Sequence, residues 1–224
     1  MQFESFIYLA EIVGTIVFAV TGAFAAQGKR LDILGVVVLA IVTALGGGTI
    51  RDITLNAHPV FWIADTSYLW TAIISAIAAF ILCRYVTYPR RTLLILDGMG
   101  MALFSILGAE KAASMGFPPV VVVMMAMITG CAGGMIRDII TREIPLILHR
   151  EGELYATCAL GGATFFIMFQ GLIDDRMLAL ISMVLIFALR LAALFANLRL
   201  PEFIVAGHRL ESARIAREKE NEET

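Results

Sequence analysis

Two charged dyads stand out in an otherwise apolar chain. Arg51-Asp52 follows Gly46-Gly47-Gly48, and Arg137-Asp138 follows Ala132-Gly133-Gly134, 86 positions later. The repeated strings are GGTIRDI (Gly47 to Ile53) and GGMIRDI (Gly133 to Ile139). Charges within a bilayer are costly and usually functional. Consecutive glycines loosen a helix, and carbonyls freed there must find a partner, because lipid supplies none. The pattern predicts two helix breaks lining a water-filled or ion-lined cavity. Close packing through small residues is the competing use of such glycines, but the attached and duplicated charges favour the cavity. Moving a charged solute suits these residues better than making bonds. There is no nucleophile–base pair, phosphate loop or metal-ligand cluster, so no catalytic residue, enzyme activity, cofactor or structural metal is expected.

Adjacent Arg and Asp point in different directions on a helix. The expected partners are therefore Arg51 with Asp138 and Arg137 with Asp52, across the repeat. Such pairs would serve as a structural clamp, as pore lining, or as both. Glu11 and Asp97 are also 86 apart and lie deep in apolar runs. Glu110-Lys111 occurs only in the second half, where the first has Phe24-Ala25. Lys111 either snorkels to the interface or enters the pathway as a movable gate charge. Phe18 and Phe104 either close the path by dewetting or simply pack.

The elements that must position these residues are long and apolar. Of the 224 residues, 59% are hydrophobic and 16% charged, well below the quarter typical of soluble domains; mean hydropathy is +0.85. Seven runs reach the roughly 20 residues that a spanning helix needs: 4–27, 32–56, 66–88, 92–114, 118–142, 153–173 and 176–198. Their length and lack of alternation exclude barrel strands. The fold class is an all-α polytopic membrane protein with seven transmembrane helices. Lys29, Arg30, Arg84, Arg90, Arg91, Arg142 and Arg150 share one side with the basic tail, which carries Arg199, Arg209, Arg214, Arg217 and Lys219; Lys111 and Arg176 lie on the other. The positive-inside rule then puts the N-terminus outside and the C-terminus in the cytoplasm of an inner (plasma) membrane. Cys83, Cys131 and Cys158 read as apolar packing residues. His58 and His149 read as interfacial, and the segment 202–224 as a polar cytoplasmic tail with a helical start.

Aligning residues 11–59 with 97–145 gives 16 identities in 49, including Pro59 with Pro145. Three spans per copy is an odd number, so the second copy enters the membrane from the opposite side. The expected units are a first repeat over 1–92, an inverted second repeat over 93–174, a seventh helix over 175–200 and the tail over 201–224.

Seven spans, a three-plus-three repeat and two Gly-Gly-x-x-Arg-Asp units resemble the prokaryotic trimeric intracellular cation (TRIC) channel family over about residues 4–198. The resemblance implies a homotrimer with a pore in each protomer, lined by kinked second and fifth spans. It further implies potassium as the main permeant ion and membrane lipid bound at subunit interfaces, with no nucleic-acid partner. Carried over, the kink motifs are Gly46 to Asp52 and Ala132 to Asp138. Relatives labelled as glycine transporter domains keep a second reading open, a secondary transporter of a small zwitterion such as glycine. Repeat architecture alone does not separate carrier from channel.

Overall fold

The computed structural model describes residues 2–83, 89–148 and 154–196, with Gln2 by its backbone alone. Expectations for Arg84, His149, Arg150, the basic residues from Arg199 onward and the segment 202–224 lie outside the described residues. The elements are α1 (Gln2–Ala25), α2 (Ile33–Thr54), α3 (Phe61–Ala64), α4 (Ser67–Cys83), α5 (Arg90–Ser114), α6 (Pro119–Ile140), α7 (Tyr155–Phe169) and α8 (Asp175–Ala196). The molecule is an all-α polytopic membrane protein. Helices α1, α2, α5, α6 and α8 are long and apolar enough to cross a bilayer. α7, with 15 residues, rises only about 22 Å at ~1.5 Å per residue, short of a hydrocarbon core of ~30 Å; α4 has 17 described residues. The seventh run was expected to follow a sixth that reached 173. In fact α7 stops at Phe169, because Gln170 is extended and Gly171 takes φ +80°. Nor was α3 expected; the Trp62 indole, donating to the Thr49 hydroxyl at 3.0 Å, ties it to α2.

The expected helix breaks are not there. α2 runs unbroken through Gly46, Gly47 and Gly48, and α6 through Ala132, Gly133 and Gly134. Close approach of the two helices explains the glycines instead. A Cβ on Gly47 would sit 2.3 Å from the Thr129 carbonyl oxygen, and one on Gly133 would sit 2.3 Å from that of Thr43. Cα–H···O contacts of this kind recur where helices touch. Thr43 and Thr129 turn their hydroxyls back onto the Leu39 and Met125 carbonyls, each at 2.6 Å, so neither hydroxyl needs water.

These contacts are reciprocal. Gly47 meets Thr129 while Thr43 meets Gly133, and every pair member has its counterpart 86 positions away. The same holds where a Cβ on Gly14 would strike the Phe104 ring at 2.9 Å and one on Gly100 the Phe18 ring at 2.5 Å. Reciprocity of this sort is the mark of a two-fold relation, here within one chain. Phe18 and Phe104 stack on each other at its centre, with centroids 5.4 Å apart and planes 8° off parallel. Both are sealed in the core, so the geometry is that of packing. α1 and α2 pack on α5 and α6, whereas α8 packs chiefly on α5 and α7. The helix with no repeat partner therefore belongs to the second half's side of the molecule.

Candidate functional site

Each Arg–Asp dyad lies in the last turn of its helix, where the helix C-terminus is closed the same way twice. The Asn56 and Ala57 amides donate to the Ile53 and Asp52 carbonyls; the Arg142 and Glu143 amides donate to the Ile139 and Asp138 carbonyls. This is the Schellman arrangement, with Asn56 and Arg142 at φ +54° and +59° in the left-handed position where glycine is usual. The chain then doubles back, and the aspartate side chain captures it. Asp52 Oδ2 accepts the Phe61 amide at 2.9 Å, and Asp138 Oδ2 accepts the Leu146 amide at 3.0 Å.

The other carboxylate oxygen takes the neighbouring arginine. Arg51 Nε donates to Asp52 Oδ1 at 2.7 Å, and Arg137 Nε to Asp138 Oδ1 at 2.9 Å. The expected cross-repeat pairs, Arg51 with Asp138 and Arg137 with Asp52, are thus replaced by pairs within each dyad. The Cα–Cβ directions of adjacent residues do diverge, but the arginine side chain is long enough to turn back along the helix end. Its far nitrogens reach the inner acids. Arg137 Nη1 lies 2.7 Å from Asp97 Oδ1, and Arg51 Nη1 lies 3.6 Å from Glu11 Oε1. Two tyrosines complete the pattern, Tyr68 donating to Glu11 Oε2 at 2.5 Å and Tyr155 to Asp97 Oδ2 at 2.7 Å. They are 87 residues apart, one off the repeat register, so an 86-residue slide passes over them.

The two clusters differ at one place above all. Lys111 bends inward, its Nζ 2.7 Å from Asp52 Oδ1; its side chain keeps 29% exposure while that of Asp52 has none. Snorkelling is therefore not its geometry. Glu110 is half-buried and within electrostatic reach of Glu11, Arg51 and Lys111. The repeat position of Lys111 is Ala25, and there a pocket of about 290 Å³ opens beside Asp138. Ala25, Lys29, Arg90, Leu94 and Thr141 are among its lining residues. Lys29 and Glu143 form an exposed ion pair at its rim. Arg190 of α8, which sequence reasoning missed, is buried with its guanidinium 5.0 Å over the Tyr155 ring. Only its place inside an apolar helix hinted at this. Cys131 and Cys158 are buried free thiols and Cys83 is partly buried; His58 is exposed beside Pro59.

Two helix pairs in reciprocal contact, with buried charge clusters at both ends of their crossing, form an arrangement of the kind found in inverted-repeat membrane transport proteins. The sequence model of the family described as "Glycine transporter" matches residues 8–84 and again 94–171, and the chain belongs to that family. It is similar to the UPF0126 inner membrane protein YadS of Escherichia coli K12, with 41% identity over 88% of this chain and 96% of that protein. A UPF0126 membrane protein of Vibrio cholerae is 42% identical over 89% of this chain and 83% of its own. Among solved structures, the TRIC trimeric intracellular cation channel orthologue from Rhodobacter sphaeroides superposes with a TM-score of 0.80 at 38% identity, covering 86% of this chain and 98% of that one. A structure described for conductance through TRIC cation channels gives 0.79 at 34% identity, over 88% and 97%. The resemblance read from the doubled motif is therefore shown in sequence and in fold.

Proposed function

We propose that the chain is a passive cation channel, with potassium its main permeant ion and a path in each protomer of a homotrimer. The path runs along the α2–α6 crossing, between the carboxylates of Asp52 and Asp138. Arg51 and Arg137 hold those carboxylates in place. The N-terminus lies outside and the C-terminus in the cytoplasm, by the distribution of Lys and Arg in the loops. Lipid fills the grooves between protomers.

The observation that carries this reading is the Lys111 ammonium seated on Asp52. A cation of the protein occupies a carboxylate that a permeant cation would use, and its partial exposure leaves it room to swing away. A charge-assisted hydrogen bond contributes about 1.5 kcal/mol at the low end, roughly a tenfold bias toward the closed position. Purified protein in planar bilayers should show unitary potassium currents, and Lys111→Met should raise open probability by about tenfold on that estimate. Saturable glycine exchange without unitary currents would instead establish the carrier reading. That alternative draws on the family description and on the cations near Asp138.

A further inference from the structure

The first half of the molecule contains its own template for what the second half can bind. Asp52 and Asp138 are repeat-related, and each uses Oδ1 for its arginine and Oδ2 for a backbone amide. On Asp52, a primary ammonium, that of Lys111, shares Oδ1 with the arginine. On Asp138 the corresponding side chain is Ala25, and 9% of the Asp138 side chain stays accessible. Both residues line the same pocket. At about 290 Å³ it is near the lower end of small-molecule sites and much larger than a bare ion requires.

The rest of the lining defines the other end of a ligand. Arg90 and Lys29 stand at the pocket, Lys29 being already paired with Glu143. The Arg90 guanidinium suits a carboxylate or phosphate. Phe24, Leu93 and Leu146 supply apolar wall. A polycation would meet Arg90 and Lys29 unfavourably, and a simple anion would meet Asp138. We propose that this pocket binds a zwitterion in which a primary ammonium lies a few bonds from a phosphate or carboxylate. The ammonium takes the place around Asp138 that Lys111 takes around Asp52, and the anionic group takes Arg90. The chemistry is shared by a free amino acid and by an ethanolamine phosphate, including that of a phospholipid headgroup. The proposal shares Asp138 with the conduction path but does not depend on conduction.

Equilibrium binding to the detergent-solubilised full chain tests it. A ligand that binds only the folded state raises the unfolding midpoint. O-phosphoethanolamine or glycine should raise it in a saturable way. Phosphocholine, whose quaternary nitrogen has no N–H to donate, and inorganic phosphate should leave it unchanged. Asp138→Asn should abolish the shift. Ala25→Lys should abolish it too while raising the midpoint of the ligand-free protein, because a tethered ammonium then fills the place intramolecularly. Equal shifts with phosphocholine or phosphate would overturn the proposal, as would a full shift in Ala25→Lys. Nanodiscs separate the sources. If ethanolamine phospholipid removes the response to the soluble zwitterion that choline phospholipid preserves, the headgroup is the ligand; if both preserve it, the free zwitterion is. Potassium flux is measured alongside: intact currents with no shift from either zwitterion would sink this inference and leave the channel reading standing.

Discussion

Around Asp52 the second cation comes from the opposite half of the chain, as Lys111 reaches across from α5 onto the helix-end carboxylate. Around Asp138 the equivalent position is Ala25, and a further buried cation, Arg190, lies over the ring of Tyr155, the tyrosine that donates to Asp97. Glu11, Glu110, Asp52, Arg51 and Lys111 make one set of three acids and two bases; Asp97, Asp138, Arg137 and Arg190 make the other, with two of each. The dyads, inner acids and tyrosines are present in both halves. The halves differ in where the further cation stands. One cluster is capped at its mouth by a partly exposed lysine; the other is braced by Arg137 between Asp97 and Asp138 and faces a pocket. A nearly two-fold molecule gains a direction in this way, through residues outside the repeated motif.

The bracing should show most clearly in the arginines. Arg137 has no exposed surface and lies between Asp97 and Asp138, both within 2.9 Å of its nitrogens. Arg137→Met would strand two buried carboxylates, and breaking a buried pair costs about 3–5 kcal/mol. Little folded protein is expected by fluorescence-detected size exclusion. Arg51→Met should cost less, because Lys111 stays on Asp52 and Glu11 is partly exposed. Equal losses from the two variants would break the contrast between capped and braced clusters.

Where the molecule is symmetric, paired substitutions should instead match. Gly47→Ala and Gly133→Ala each drive a Cβ into a backbone carbonyl that cannot swing aside. Overpacking of this kind costs about 1–3 kcal/mol, and the two unfolding midpoints should fall together. Gly46→Ala meets only the tip of Ile136 at 3.1 Å and should be close to neutral. A Gly46 variant as damaged as Gly47 would restore the idea that the glycines serve flexibility rather than contact.

The tyrosines give a smaller version of the first test. Tyr155 is buried and donates to fully buried Asp97, whereas the Glu11 that Tyr68 serves is within reach of solvent. A hydrogen bond to a charged group is worth about 1.5–3 kcal/mol. Tyr155→Phe should lose that amount in thermal unfolding, and Tyr68→Phe should lose about half or less, since water can replace the hydroxyl beside Glu11. A larger loss at Tyr68 would reverse the assignment of which cluster is sealed.

Much of this was legible in the sequence because it is carried by periodic or duplicated features. Apolar runs located every described helix except α3, and the 86-residue repeat found the Arg–Asp dyads with Glu11 and Asp97. Glycine was misread because sequence reports its freedom and not its neighbours; only the α2–α6 crossing shows that Gly47 and Gly133 are there for closeness. The pairing of each arginine with its own aspartate was missed because backbone direction was allowed to stand for the reach of a long side chain. Tyr68 and Tyr155 fell one residue out of register, and Arg190 belongs to the helix that has no repeat partner.

The smallest effect concerns the two lysines that face the two clusters. Lys29 pairs with Glu143 at the rim of the Asp138 pocket, with 33% and 60% of their side chains exposed. Lys111 pairs with a carboxylate that has none. An exposed pair contributes about 0–1 kcal/mol, and salt screens it, since the Debye length falls from about 10 Å at 0.1 M to about 3 Å at 1 M. Lys29→Gln should therefore change open probability by at most about fivefold at 0.1 M KCl and not measurably at 1 M. The Lys111→Met effect should survive the same change in salt, because the Asp52 carboxylate is buried and opens to a cation only once Lys111 has swung away. A Lys29 variant whose effect is large and salt-independent would mean that the Asp138 end has a cap of its own. The direction assigned to the molecule would then have to be given up.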